Sequence, residues 1–349
     1  MTEDQIRQTL TTIKYPGFSR DIISFGLIKS IRIDGADVTV QMALTTADAR
    51  VPQQIKEESE QALGALRGIG QVAVKIDIHA PAQTPGQGGT QAALAQTQIE
   101  GVRNVIAVAS GKGGVGKSTV AANLAAALSE GGASVGLCDC DLYGPSVAIM
   151  FGTSERPFAT EENRIIPNER YGLKLMSMGF LLDDAAPAIL RGPMVTKYTQ
   201  QFLRQVEWGD LDYLILDLPP GTGDIQLTIV QTVSLAGAIV VTTPQEVALI
   251  DARKASSMFQ KVNVPVLGLV ENMSYFVCPS DGKTYDIFGT GGGAREAERL
   301  GVPLLGQIPI DIPTREAGDR GCPIVLAEPK SPVSDAFRAV AQRVRQLAN

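Results

Sequence analysis

Gly111-Lys112-Gly113-Gly114-Val115-Gly116-Lys117-Ser118 stands between the apolar run Val105–Ala109 and the helix-forming stretch Thr119–Leu128. The spacing is that of a loop built to wrap phosphate between a strand and a helix. Glycines without Cβ atoms let successive backbone N–H groups turn inward around phosphate oxygens. The helix N-terminus adds positive potential at the same place. Residues 111–119 then form the cradle, Lys117 reaches the β- and γ-phosphates, and the Ser118 hydroxyl ligates Mg2+. Lys112, directly after the first glycine, brings a further cation to the phosphates. The stretch therefore marks a nucleotide site.

Around this loop, short apolar runs recur between amphipathic segments. They are Val105–Ala109, Val135–Asp139, Leu173–Met176, Tyr213–Asp217, Ala238–Thr242, Val266–Val270 and Leu304–Ile308. Continuous rather than alternating apolar strands predict a parallel sheet covered on both faces. The expected fold is α/β, a doubly wound, mostly parallel sheet of the P-loop NTPase kind over residues 101–349. In such sheets ligands bind beyond the carboxyl ends of the strands. Asp217 closes the fourth run there, where a carboxylate beside the phosphate loop can hold Mg2+ or its waters. Gly221 and Gly223 give the loop after it room to move when the γ-phosphate is lost.

Upstream, residues 80–100 have no charge before Glu100 and no strand pattern, which predicts a flexible linker. Residues 1–79 read as a small α+β unit. Ile6, Leu10 and Ile13 have helical spacing, and Gly26–Ile33 is a strand. Asp34-Gly35 signals a hairpin turn, and Val38, Val40, Met42 and Leu44 alternate as a half-buried strand does. A helical stretch from Ile55 to Leu66 and a last alternating strand through Val72, Val74, Ile76 and Ile78 complete the order α-β-β-α-β.

The 349 residues carry 31 Lys and Arg against 37 Asp and Glu, a net charge of −6. That balance argues against a nucleic-acid partner gripped by a broad basic face. No apolar run approaches the roughly 18–20 residues needed to span a bilayer. The acidic start Met1-Thr2-Glu3-Asp4 lacks a signal-peptide pattern, so a cytoplasmic, thiol-reducing location is expected. Four cysteines and a single histidine, His79, exclude a metal site made of several histidines. In the last helix Val333, Phe337, Val340, Val344 and Leu347 share one face. That pattern fits packing against the core, and no stable membrane association is expected.

Lys-Gly-Gly-Val-Gly-Lys-Ser at 112–118 resembles the phosphate loop of the superfamily containing MinD, ParA, nitrogenase iron protein and the arsenite-pump ATPase. The resemblance implies that Lys112 crosses to a partner's phosphates, and hence a homodimer. It further implies that Asp141 orients the attacking water, that Asp139 lies nearer the metal and that Asn272 reads adenine. Asp-x-Asp-Leu-Tyr-Gly-Pro-Ser at 139–146, Arg-Gly-Pro-Met at 191–194, Leu-Asp-Leu-Pro-Pro-Gly-Thr-Gly-Asp at 216–224, Glu-Asn-Met-Ser at 271–274 and Phe-Gly-x-Gly-Gly-Gly at 288–293 are similar to the Mrp/ApbC branch. Residues 1–79 resemble the small iron–sulfur assembly domain fused to its bacterial members.

That second resemblance implies an Mg2+-dependent ATPase that binds an iron–sulfur cluster, of the [4Fe–4S] type, and passes it to apo client proteins. Relatives carry C-x-x-C after Glu-Asn-Met-Ser, where thiolates from two subunits hold a bridging cluster. Here the stretch reads Cys278-Pro279-Ser280-Asp281, so one thiol of the pair is present. A dimer supplies two thiolates where a [4Fe–4S] cluster takes four cysteines. Asp281, Cys322, a small thiol or the client is left to supply the rest. A metal-free, nucleotide-switched scaffold of the ParA/MinD type is the alternative reading. Cys138 and Cys140 close an apolar strand and are expected in the core.

Overall fold

The computed structural model describes residues 2–13, 22–23, 27–45, 50–66, 68–79, 97–141, 144–160, 164–180 and 203–348. Arg-Gly-Pro-Met at 191–194 and residues 80–96 of the expected linker lie outside the described residues. The chain divides into two units, residues 1–91 and 92–349.

In the first unit α1 (Glu3–Leu10) precedes the hairpin β1 (Ile28–Asp34) and β2 (Asp37–Thr45), then α2 (Arg50–Gly64) and β3 (Val72–His79). Thr2 and Gln5 cap α1 reciprocally, side chain to backbone in both directions. The hairpin closes at Asp34 opposite Asp37, as the Asp-Gly signal requires. Strand β3 returns parallel to β2, from Val38 opposite Val72 to Thr45 opposite His79. A parallel return needs a crossover, and α2 provides it. Ile6, Leu10, Val38, Val40, Met42, Ile55, Leu63 and Val74 form this unit's own core.

The second unit opens with β4 (Val102–Ala109), α3 (Lys117–Glu130), β5 (Val135–Asp139) and the single turn α4 (Val147–Met150). Next come β6 (Asn168–Arg170), β7 (Leu173–Ser177), β8 (Leu211–Asp217), α5 (Asp224–Thr232), β9 (Gly237–Thr242), α6 (Glu246–Lys261) and β10 (Val266–Glu271). A hairpin of β11 (Phe276–Val277) and β12 (Thr284–Tyr285) follows. The chain ends with α7 (Gly292–Leu300), β13 (Leu304–Gln307), α8 (Ile312–Asp319), α9 (Ile324–Ala327) and α10 (Pro332–Leu347).

Among the described residues, eight strands make one sheet in the order β13-β10-β9-β4-β8-β5-β7-β6, flanked by helices. All neighbours run parallel except the short edge strand β6, which is antiparallel to β7 and carries no apolar run. Every residue of β5 and β9 is buried, which is why those stretches read as unbroken apolar runs. The chain leaves β4 through the glycine loop and α3 but re-enters the sheet at β5, with β8 between them. That places the carboxyl ends of β4, β8 and β5 side by side. Helix α3 is buried from Val120 to Leu128 because its Ala-rich sequence lets α10 pack close.

Two expectations need correction. Residues 97–100 do not belong to a free linker. Thr97 bridges to Val233, its N–H bonds to the Thr232 carbonyl, and its own carbonyl accepts from Ser234. On α10, Val333, Phe337, Val340 and Val344 are buried, but Leu347 is 45% exposed at the fraying end and leaves the stripe.

Candidate phosphate site and cysteine hairpin

The loop from Ser110 to Gly116 turns with Gly114 and Gly116 both at φ +80°. Gly116 caps α3 in the left-handed region, and a Cβ there would stand 2.1 Å from Asn272 Nδ2. A Cβ on Gly111 would lie 2.0 Å from the Asp251 carbonyl oxygen, because α6 comes up against the start of the loop. Sequence reading missed that second wall, since nothing in α6 announces where it packs. The Ser110 hydroxyl donates to the Lys112 carbonyl at 2.9 Å, and Gly221 N–H bonds to the Ser110 carbonyl at 3.0 Å. The loop after Asp217 is thus tied to the base of the glycine loop, and Lys112 sits half-buried on the latter.

Lys117 is 7% exposed and its ammonium donates to Asp217 and, at 3.3 Å, to the Ser118 hydroxyl. Asp217 is fully buried, and its second oxygen, Oδ2, has no hydrogen-bond partner among the described residues. Burial pushes the Asp217 carboxyl above its usual range, with the Lys117 charge pulling the other way. A buried carboxylate oxygen without a donor, next to a serine hydroxyl at a helix start, is a donor set suited to a hard divalent cation. The residues present therefore fit Mg2+.

Asp139 lies opposite Asp217 across β5 and β8. Both of its oxygens accept hydrogen bonds in this structure. Its Oδ2 accepts from Ser146 N–H at 2.8 Å, Val147 N–H at 3.1 Å and the Ser177 hydroxyl at 3.1 Å. Its Oδ1 accepts from Asp141 N–H at 3.1 Å. These donors tie Asp139 to the start of α4, beside Asp217. Burial first, then the Asp217 charge, pushes its carboxyl up to about 6. Asp141 is half-buried just beyond β5, and Gly144 N–H bonds to its Oδ1 at 3.2 Å.

Asn272 is buried, and its Nδ2 donates to the Val115 carbonyl at 2.9 Å. In this state the amide props the phosphate loop. It also lines a cavity of about 520 Å3 that begins at Gly116 and Thr119 and is walled by Met273, Pro309 and Ile310. Beside it, sequence reading missed the part played by Glu271. This buried carboxylate accepts from the Ser274 hydroxyl at 2.6 Å, from Gln307 Nε2 at 2.8 Å and from Gly293 N–H. It joins the end of β10, the start of α7 and β13, and so fixes the turn that carries Asn272.

Cys278 lies on the hairpin of β11 and β12, half-buried, with its Sγ 3.0 Å from the Ser280 hydroxyl. Hydrogen bonds from Ser280 lower its thiol below the ordinary cysteine value. Cys138 and Cys140 are buried in the core with sulfurs 3.9 Å apart, and burial pushes the Cys138 thiol well up. Cys322 sits in the turn after α8, its N–H bonded to the Ala317 carbonyl. The structure brings Lys117, Ser118, Asp139, Asp217 and Asn272 to one end of the sheet. Among the described residues, no three or more His, Cys, Asp or Glu side chains are grouped to hold a metal ion within one chain.

Residues 101–345 match the family model described as NUBPL iron-transfer P-loop NTPase. The chain belongs to that family. Residues 3–76 match a second model, iron–sulfur cluster assembly protein. This iron-transfer NTPase is 44% identical to a protein of Synechocystis named iron–sulfur cluster carrier protein, over 99% of this chain and 97% of the relative. Its fold is similar to a nucleotide-binding protein of Archaeoglobus fulgidus solved with ADP, with a TM-score of 0.60 and 37% identity, over 69% of this chain and 94% of the other. It is likewise similar to the cell-division ATPase MinD of Pyrococcus furiosus, with a TM-score of 0.54 and 25% identity, over 70% of this chain and 99% of the other.

Proposed function

We propose that the protein is a homodimeric, Mg2+-dependent ATPase of the cytoplasm that carries iron–sulfur clusters to apo client proteins. One observation carries the reading. A chain matching a named cluster carrier end to end also places Lys117, Ser118 and Asp217 together at the carboxyl edge of its sheet.

The chemistry follows from the groups present. Backbone N–H groups of residues 111–119 receive the phosphates, with the dipole of α3 behind them. On nucleotide entry Lys117 exchanges Asp217 for phosphate oxygens, which frees the buried carboxylate for another cation. Ser118 and Asp217 would hold Mg2+, which would supply positive charge beside the phosphates. Asp141, just beyond the end of β5, orients the attacking water. Asp139 keeps Asp141 in position through its backbone N–H. Asn272 releases Val115 or shares its amide to meet adenine at the cavity edge. Lys112 reaches the partner's phosphates, which couples nucleotide binding to the closing of the dimer.

The cluster is cargo, held at Cys278. In the metal-free scaffold alternative Cys278 has no ligand role, and the match to a named carrier over nearly the whole chain favours the carrier. The nucleotide half is tested by titrating ATP into wild type and Lys117→Ala while following turnover. Loss of both binding and turnover in the variant is expected, and unchanged values would overturn the site.

A further inference from the structure

Phe288-Gly289-Thr290-Gly291-Gly292-Gly293 joins the hairpin of β11 and β12 to helix α7. Gly289, at φ +95°, closes a turn through its N–H to the Asp286 carbonyl at 3.1 Å, and Gly291 caps α7 at φ +68°. Gly293 N–H ends on Glu271, the neighbour of Asn272. Phe288, the one large side chain of the motif, is half-buried and lines the 520 Å3 cavity beside the phosphate loop. Among the described residues that cavity has one other aromatic wall, Phe337, which is fully buried in the packing of α10. The other foot of the hairpin reaches the same cavity. Ser274 N–H bonds to the Ile308 carbonyl at 2.9 Å, Ile310 N–H bonds to the Tyr275 carbonyl at 2.7 Å, and Phe276 bridges to Ile310. Ile308 and Ile310 are both cavity walls.

Resting on the nucleotide reading above, we propose that Phe288 is a specificity residue that stacks on the face of the nucleotide base. An amide such as that of Asn272 can read the edge of a base, but its hydrogen bonds leave the flat faces without a partner, and an aromatic ring supplies one. Phe337 is locked in the core, whereas Phe288 stands at the cavity on a turn that glycine closes. Two fused rings offer a stacking side chain more surface than one ring, so the site favours a purine over a pyrimidine. The placement also has a consequence for the hairpin. With one foot at Phe288 and the other on Ile308 and Ile310, the hairpin rises from the wall that the base occupies. A stacked base therefore steadies the hairpin, while phosphate held at residues 111–119 engages neither foot.

The test compares full-length wild type, Phe288→Ala and Phe288→Tyr with ADP, CDP and inorganic pyrophosphate, each with Mg2+. Titration calorimetry reads the affinities, and hydrogen exchange of residues 276–288 reads the hairpin. Phe288→Ala is expected to bind ADP about tenfold more weakly than wild type, to lose most of the preference for ADP over CDP, and to bind pyrophosphate as wild type does. Phe288→Tyr keeps a stacking ring and is expected to keep the ADP affinity. ADP should slow exchange across residues 276–288 in wild type and Phe288→Tyr but not in Phe288→Ala, and pyrophosphate should slow it in none of them. Equal ADP affinity in wild type and Phe288→Ala would overturn the stacking role while leaving the nucleotide site intact. An equal loss of ADP and pyrophosphate affinity in Phe288→Ala would do the same, because it marks a merely structural side chain. Wild type that binds neither ADP nor pyrophosphate would overturn the nucleotide reading as well.

Discussion

Lys117 and Asp217 are the pair on which the phosphate site rests, because neither is accessible enough to be neutralised by water. Removing the ammonium leaves a carboxylate with one orphan oxygen and no cation. Lys117→Ala should therefore lower stability by about 3 kcal/mol as well as abolish nucleotide binding. Urea denaturation of the nucleotide-free protein checks the first effect and titration calorimetry the second. Cys278 supplies a pH-dependent prediction. Its thiol is lowered chiefly by the Ser280 hydroxyl, so thiolate persists to lower pH than in an ordinary cysteine. The pH profile of its alkylation should have a midpoint below that of a free cysteine, and Ser280→Ala should move the midpoint up. Lys117, Ser118 and Asp217 were legible in the sequence because the loop spacing and a strand-ending aspartate fix their places. The work of Asp139 was not. Which donors meet its oxygens depends on where Asp141, Ser146 and Val147 come to lie and on Ser177, which lies in another strand.

At the scale of elements, the parallel strands could be read because a sheet covered on both faces leaves no polar positions to interrupt them. Strand β6 escaped notice, being three residues long and half-exposed at an edge. The phosphate loop, Glu-Asn-Met-Ser and Phe-Gly-x-Gly-Gly-Gly each stand out as separate motifs, yet sequence spacing does not show that they touch. Glu271 and Asn272 join them in space. Glu271→Ala would take the acceptor from the Ser274 hydroxyl and Gly293 N–H, while the Gln307 amide keeps its bond to Ser274, at a cost of about 1–3 kcal/mol. A lowered denaturant midpoint together with weaker nucleotide binding is the expected outcome, since Asn272 loses its anchored turn. Helix α10 makes a different prediction. Phe337 is fully buried against the core, so Phe337→Ala should cost about 3–5 kcal/mol in chemical denaturation. A membrane-binding helix would instead tolerate the change and lose vesicle association.

For the whole molecule, the two-unit organisation follows from two separate cores, each with its own apolar set. The proposed dimer adds an ATP-linked assembly step. Lys112→Ala should leave the fold intact and abolish ATP-dependent dimerisation in analytical ultracentrifugation. The nucleotide machinery is written in contiguous motifs, whereas the cargo site must be assembled from one cysteine per chain, so the sequence alone says less about it. The direct test is therefore of the cargo. Anaerobically reconstituted wild type should bind iron and sulfide with charge-transfer absorption in the visible range, and Cys278→Ala should bind neither. Wild-type protein that binds no iron or sulfide under those conditions would contradict the account.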